Sequence, residues 1–180
     1  MKVCVFCGSG MGNNPAYSGA ARELGLLFAK ASINLVYGGG NIGLMGTVAD
    51  AVMESGGHVT GVIPAFLMQR EVGHLSISNL EVVDSMHQRK QRMAELADAF
   101  VALPGGWGTL EELLEILTWK KLGLITSPVI LLNTNHFFDP LLDQMRLMVV
   151  EGFLSAYNFD FLAVEKSPAK ILLRLTAPKA

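Results

Sequence analysis

Three glycine-rich segments are the first residues in this chain whose types and spacing could do chemistry. They are Gly8-Ser9-Gly10-Met11-Gly12, Gly38-Gly39-Gly40-Asn41-Ile42-Gly43-Leu44-Met45-Gly46 and Pro104-Gly105-Gly106-Trp107-Gly108-Thr109, and together they hold eleven of the 19 glycines. Glycine lets the backbone turn through positive φ and lets a ligand approach main-chain amides closely. A helix opening after such a loop offers free N–H groups and a positive dipole end to an anion. Tight turns in any α/β protein also use glycine, so one loop alone would say little. Three of them point to a site for a phosphate-bearing molecule.

Exclusion narrows the ligand. Gly38-x-Gly40-x-x-Gly43 formally fits a dinucleotide fingerprint, which also calls for an acidic residue about 20 positions on, at the end of the next strand. That strand ends Gly61-Val62-Ile63-Pro64, without a carboxylate. No G-x-x-x-x-G-K-[ST] run occurs, which excludes a P-loop. A mononucleotide or a sugar phosphate fits better than either.

Two charged clusters lie beside these loops. Ser85-Met86-His87-Gln88-Arg89-Lys90-Gln91-Arg92 places Arg89 and Arg92 at i,i+3 on one helix face, with Lys90 rotated away. A solvated helix face is the ordinary reading. At a strand end, an arginine there could hold a phosphate or carboxylate through two parallel hydrogen bonds. Thr109 and Glu112 have the spacing of a capping box, which would stabilise a helix by about 1 kcal/mol. Alternatively, Glu111, Glu112 and Glu115 crowd the start of a helix after a glycine loop, where a carboxylate can act as general base or stabilise a developing cation. Trp107 could stack on a base or pack the loop down. Cys4-x-x-Cys7 invites a redox or metal reading. Residues three apart on a strand face opposite sides, however, and His58, His74, His87 and His136 lack ligand spacing.

The elements that must position these residues alternate in type. Strands are expected at Lys2–Cys7, Asn34–Tyr37, His58–Ile63, Leu80–Val83, Ala99–Leu103, Val129–Leu132 and near Phe161–Val164. Helices are expected at Pro15–Ala31, Leu44–Ser55, Ser85–Ala97, Leu110–Leu122, Phe138–Val150 and Ala169–Leu175, with a loop or broken helix over 64–79. Strands alternating with helices of this length predict an α/β fold: a three-layer, Rossmann-like, doubly wound parallel sheet that binds ligands at the carboxyl ends of its strands. A length of 180 residues predicts a single domain over 1–180.

Composition excludes other classes. Apolar residues are 51% and charged residues 17%, so the chain is not disordered. A net charge of −2 argues against a nucleic-acid partner. No apolar stretch is long enough for a membrane span, and the short run at Val3–Cys7 reads as a strand and not a signal segment, so a cytoplasmic protein is the expectation. Along 110–122, Leu110, Leu113, Leu114, Ile116, Leu117, Trp119 and Leu122 cover more than one helix face. The sheet can cover one side. A second copy is the natural cover for the other, which predicts a homodimer.

These residues carry a family resemblance. Pro104-Gly105-Gly106-Trp107-Gly108-Thr109-Leu110-Glu111-Glu112 is similar to the PGGxGTxxE motif of the Lonely Guy (LOG) family. Val5-Phe6-Cys7-Gly8-Ser9, Tyr37-Gly38-Gly39-Gly40 with Gly43-Leu44-Met45-Gly46, and Met86-His87-x-Arg89-Lys90 resemble its other loops and its basic helix, so the match runs over most of the chain. Members resemble cytokinin riboside 5′-monophosphate phosphoribohydrolases, many bacterial ones look like AMP nucleosidases, and some carry an older lysine decarboxylase label. The resemblance implies hydrolysis of the N-glycosidic bond of an adenine or N6-substituted adenine nucleoside 5′-monophosphate, giving free base and ribose 5-phosphate. It implies Arg89 and Glu112 as the catalytic pair. For substrate binding it implies Gly8, Ser9, Gly39, Gly40, Gly43, Met45, Glu71, Met86, Lys90, Pro104, Gly105, Gly106, Trp107, Gly108, Thr109, Leu110, Glu111 and Thr118. It implies no metal or cofactor, and a homodimer whose site borrows residues across the interface. Gly10 stands where many relatives have a second serine. The PGGxGT run alone is shared with other nucleotide-binding Rossmann-like proteins, including a molybdenum-cofactor carrier, so a non-catalytic nucleotide or cofactor carrier is the alternative. A decarboxylase would need a Schiff-base lysine. The nearby candidates, Lys90, Lys120 and Lys121, show no sequence setting that lowers a pKa.

Overall fold

The structure is a computed structural model and describes residues 1–69 and 72–177. Its strands are β1 (Lys2–Phe6), β2 (Asn34–Tyr37), β3 (Val59–Pro64), β4 (Asn79–Val83), β5 (Ala99–Ala102), β6 (Val129–Leu132) and β7 (Leu162–Glu165). Its helices are α1 (Pro15–Lys30), α2 (Gly43–Glu54), α3 (Met86–Leu96), α4 (Trp107–Lys121), α5 (Asp139–Val150), α6 (Ala156–Phe159) and α7 (Pro168–Thr176). The strands form one sheet in the order β4-β3-β2-β1-β5-β6-β7, and every pairing is parallel.

The period-2 alternation of the strands builds two cores. Val3, Val5 and Cys7 of the β1 segment face α1, α2 and α7, together with Leu35, Tyr37, Val101 and Ile130. Cys4 and Phe6 face α3, α4 and α5, with Val36, Val62, Phe100 and Leu131. This is the three-layer architecture that the alternation of elements predicts. Cys4 and Cys7 fall in opposite layers, as residues three apart on a strand must. Both thiols are buried and free, and burial pushes both upward from the ordinary thiol range. A thiol held protonated is a poor metal ligand and a poor nucleophile.

Local chemistry sets the helix starts. Asn14 caps α1 by accepting from the Ala16 amide at 2.9 Å, with Pro15 in the first turn. Ser85 caps α3 by accepting from the Gln88 amide, and the Gln88 side chain accepts from the Asp84 amide in return. The start of α4 differs from the expected one. The helix begins at Trp107, and Gly106, in an extended conformation, is its N-cap. Thr109 therefore sits in the first turn and is buried, so the capping box expected from Thr109 and Glu112 does not form. A short 3-10 turn at Ala65–Leu67 falls within the loop or broken helix expected over 64–79, whereas the 3-10 turn at Thr134–His136 and α6 were not expected from the sequence.

Candidate active site

The sheet reverses its winding between β1 and β5. Chain leaving β1 enters the α1 layer, and chain leaving β5 enters the α4 layer. A crevice opens at the carboxyl ends of these neighbours, the place where such sheets bind ligands. Register holds it closed at the base: Leu103 donates to Phe6 O at 2.8 Å and Gly8 to Pro104 O at 3.1 Å. Gly8 O in turn accepts from the Leu44 amide at 3.0 Å, which fastens the start of α2 to the first loop. Gly43 makes this approach possible. It adopts φ +62°, and a Cβ there would run into the Ser9 backbone. All three glycine loops thus meet at one point.

The crevice is a cavity of about 160 Å³. Its walls come from Gly8 and Ser9 after β1, Met45 of α2, Arg89 of α3, and Gly106 through Thr109 with Glu112 at the head of α4. The α4 N-terminus has no side-chain cap, so its first amides are directed at the cavity without a competing side chain. Trp107 stands at the mouth, 91% exposed. Cys7 and Gly38 also line the cavity. Neither is among the individual residues expected to bind substrate, although Gly38 opens the second glycine loop and Cys7 directly precedes the first. The burial pattern at the end of β1 was the signal that could have found Cys7.

Arg89 is 95% buried, with 5% of its surface exposed. Its Nε donates to Val62 O at 3.1 Å and its Nη2 to Gly38 O at 2.9 Å, which ties α3 to the ends of β3 and β2. Gly38 must be glycine, because a Cβ would occupy the guanidinium position. Two of the five donors are thus bound to carbonyls, which fixes the guanidinium at the wall of the cavity. The arginines also separate: Arg92 turns to Glu81 at 2.7 Å, outside the site. The carboxylate of Glu112 raises the Cys7 thiol, and the guanidinium of Arg89 opposes it, so both charges bear on the cavity floor.

The remaining expected residues fall in several places. Met86 touches Arg89 through its sulfur. Gly39 and Gly40 are buried, with Gly40 bridged to Gly73. Pro104 and Gly105 line an adjoining apolar cavity of about 330 Å³ with Met11, Tyr17 and Phe137. Leu110 packs into the core beneath α4. Lys90 does not line the cavity. Its ammonium is bound by Glu111 and Glu115 of α4, and although burial pulls its pKa down, those carboxylates hold it above the ordinary lysine range. The hydroxyl of Thr118 donates to Leu114 O at 2.7 Å, within its own helix, on the outer face of α4. Glu71 lies outside the described residues. Burial lowers the pKa of Lys120, which the sequence had not indicated. That lysine sits at the opposite end of α4, bonded to Ser127 O and over the Phe161 ring.

An all-parallel Rossmann-like sheet with glycine loops converging at its switch point defines the class. The comparisons place the chain within it. A family model described as "Possible lysine decarboxylase" matches residues 45–175. Cytokinin riboside 5′-monophosphate phosphoribohydrolase LOG of rice (Oryza sativa subsp. japonica) is 52% identical over 154 residues, 86% of this chain and 64% of the relative. LOG1 of Arabidopsis thaliana, of the same description, is 51% identical over 86% of this chain and 72% of its own length. The chain belongs to this family, the LOG family. The match spans a little under two thirds of the rice relative's length. Among solved structures, the molybdenum cofactor binding protein of Rippkaea orientalis superposes with a TM-score of 0.72 at 22% identity, over 97% of this chain and 94% of that one. At that identity the likeness shows a shared fold.

Proposed function

We propose that the chain is a hydrolase that cleaves the N-glycosidic bond of an adenine or N6-substituted adenine nucleoside 5′-monophosphate. The products are the free base and ribose 5-phosphate. One observation carries the reading: Arg89, Glu112 and the uncapped start of α4 meet in a single cavity. The names of the relatives support it. The amides of Trp107, Gly108 and Thr109 hold the 5′-phosphate at the helix N-terminus. The C1′–N bond breaks through an oxocarbenium-like ribose. The Glu112 carboxylate stabilises that cation and takes a proton from the attacking water, whose oxygen bonds to C1′, and that proton passes on to the base nitrogen as the C1′–N bond pair leaves with it. Arg89, fixed by its backbone bonds, orients the carboxylate and the nucleotide. None of the three lysines suits the decarboxylase label: Lys90 is held charged between two glutamates, and Lys120 and Lys121 lie in the last turn of α4, remote from the cavity.

The same reading makes the chain a single cytoplasmic domain that works as a homodimer. No helix among the described residues is long and apolar enough to cross a membrane. Leu113 and Ile116 of α4 are buried against the sheet, while Leu114 stays 44% exposed beside Met148 and Phe153. A second copy on this face would cover them. Thr118 lies nine residues beyond Thr109, roughly 13 Å along the helix, so it enters a site only from the partner.

Incubation with AMP and with its N6-isopentenyl derivative tests the proposal. Release of free base together with ribose 5-phosphate from either is the expected result. A nucleotide that binds and is recovered intact is the outcome a carrier would give.

A further inference from the structure

His74 lies outside the cavity, yet it is among the few buried polar residues, with 3% of its surface exposed. Its Nε2 lies 2.9 Å from Asp50 Oδ1 on α2. A carboxylate can only accept, so Nε2 carries the proton. The main chain around His74 is fastened to the second glycine loop. The His74 amide donates to Gly39 O at 2.9 Å, the Asn41 amide donates to Val72 O at 2.9 Å, and Gly40 and Gly73 form an antiparallel bridge. Val72 takes a left-handed φ of +47°, a strained setting for a β-branched residue that surrounding contacts must hold. Gly39, whose carbonyl His74 binds, directly follows Gly38, whose carbonyl orients Arg89.

We propose that the His74–Asp50 pair is a positioning device for the active site. It clamps residues 72–74 onto the second glycine loop and so fixes the Gly38 carbonyl against which Arg89 is set. The imidazole is the buried pin and Asp50, on the solvent side of α2, is its anchor. Neither touches the cavity, so both act through Gly38–Gly40. The inference rests on the hydrolase reading of that cavity for its kinetic arm only.

Asp50 is exposed and lies within a helix, so Asp50→Ala preserves the fold. Two measurements are made on the wild type, Asp50→Ala and Asp50→Asn. Amide hydrogen exchange reads the clamp without reference to any substrate. In Asp50→Ala, the amides of His74 and Asn41 exchange at least tenfold faster, while those of β1 and β5 stay as in the wild type. In Asp50→Asn, which keeps an oxygen acceptor for Nε2, protection returns to within threefold of the wild type. With AMP as substrate, Asp50→Ala lowers kcat about tenfold or more with KM within threefold, the signature of a displaced catalytic group. Asp50→Asn restores most of that loss. Unchanged exchange at His74 and Asn41 in Asp50→Ala overturns the clamp. Faster exchange with an unchanged kcat overturns its link to Arg89. A wild type that cleaves neither AMP nor its N6-isopentenyl derivative overturns the hydrolase reading and the kinetic arm with it, and the exchange result still decides the clamp.

Discussion

Arg89 shows how far a residue's role depends on where its side chain is tied. Its type and its place near a strand end were visible in the sequence, and the grip expected from them was on a ligand. The structure adds that the guanidinium binds Val62 O and Gly38 O from a buried position. Those two carbonyls, one in β3 and one just past β2, lie 27 and 51 residues away in sequence, so no local pattern encodes the contact. Lysine cannot reproduce it, because one ammonium lacks the planar fork that serves both acceptors. Arg89→Lys is expected to lose about 1.5–3 kcal/mol of stability through the broken charge-assisted bond. It is also expected to lose at least tenfold in kcat. Thermal melting and steady-state kinetics check the two effects. Lys90, its neighbour, was expected at the substrate and is found bridging α3 to Glu111 and Glu115 of α4. Both partners are close to Glu112 in sequence, but the lysine that joins them comes from another helix.

The helices and strands themselves were largely legible. β2 and β6 have the expected bounds, and α1 and α3 start at the caps that Asn14 and Ser85 supply. The start of α4 was misplaced, for a physical reason. Gly106-Trp107-Gly108 carries two poor helix formers, so propensity assigns it to a loop. In the fold, Gly106 takes the extended cap conformation and Thr109 turns inward onto Gly105, where a Cβ would collide with it. The second glycine loop is also an element-scale feature, because its clamp by residues 72–74 follows from a long-range bridge and not from local sequence. At the sheet edge, β4 is tied to α3 by Glu81 and Arg92, at 2.7 Å. The hydrogen bond from Arg92 lowers the Glu81 pKa below the ordinary carboxylate range. A carboxylate with a lowered folded pKa adds stability that is complete above its unfolded pKa and is lost as pH falls through the folded one. Both partners are partly exposed, so the contribution is about 1 kcal/mol or less. Glu81→Gln should therefore melt a few degrees below the wild type at pH 7, and the gap should close on acidification below the usual carboxylate range. A gap that persists at low pH would show that the ion pair is not its source.

For the molecule as a whole, the low charge and the apolar circumference of α4 lead to the same surface. Leu114, Met148 and Phe153 remain exposed around an apolar groove between α4, α5 and α6. If the proposed homodimer forms through this face, the wild type scatters light as a dimer and Leu114→Glu as a monomer, with little change in melting at high dilution. A monomeric wild type would contradict the dimer, and an unchanged dimer mass in Leu114→Glu would contradict this face as its interface. The switch point, where three loops and Arg89 converge from four strand ends, is a property of the assembled sheet, and the sequence pointed to it through its glycines. The central claim is that this point hydrolyses a nucleotide through Glu112. Base and ribose 5-phosphate release from AMP and its N6-isopentenyl derivative, measured for the wild type and Glu112→Gln side by side, tests it most directly. The account predicts turnover by the wild type and a loss of about 10²–10⁴-fold in kcat for Glu112→Gln, with nucleotide affinity retained. A Glu112→Gln protein that turns over at the wild-type rate would contradict it.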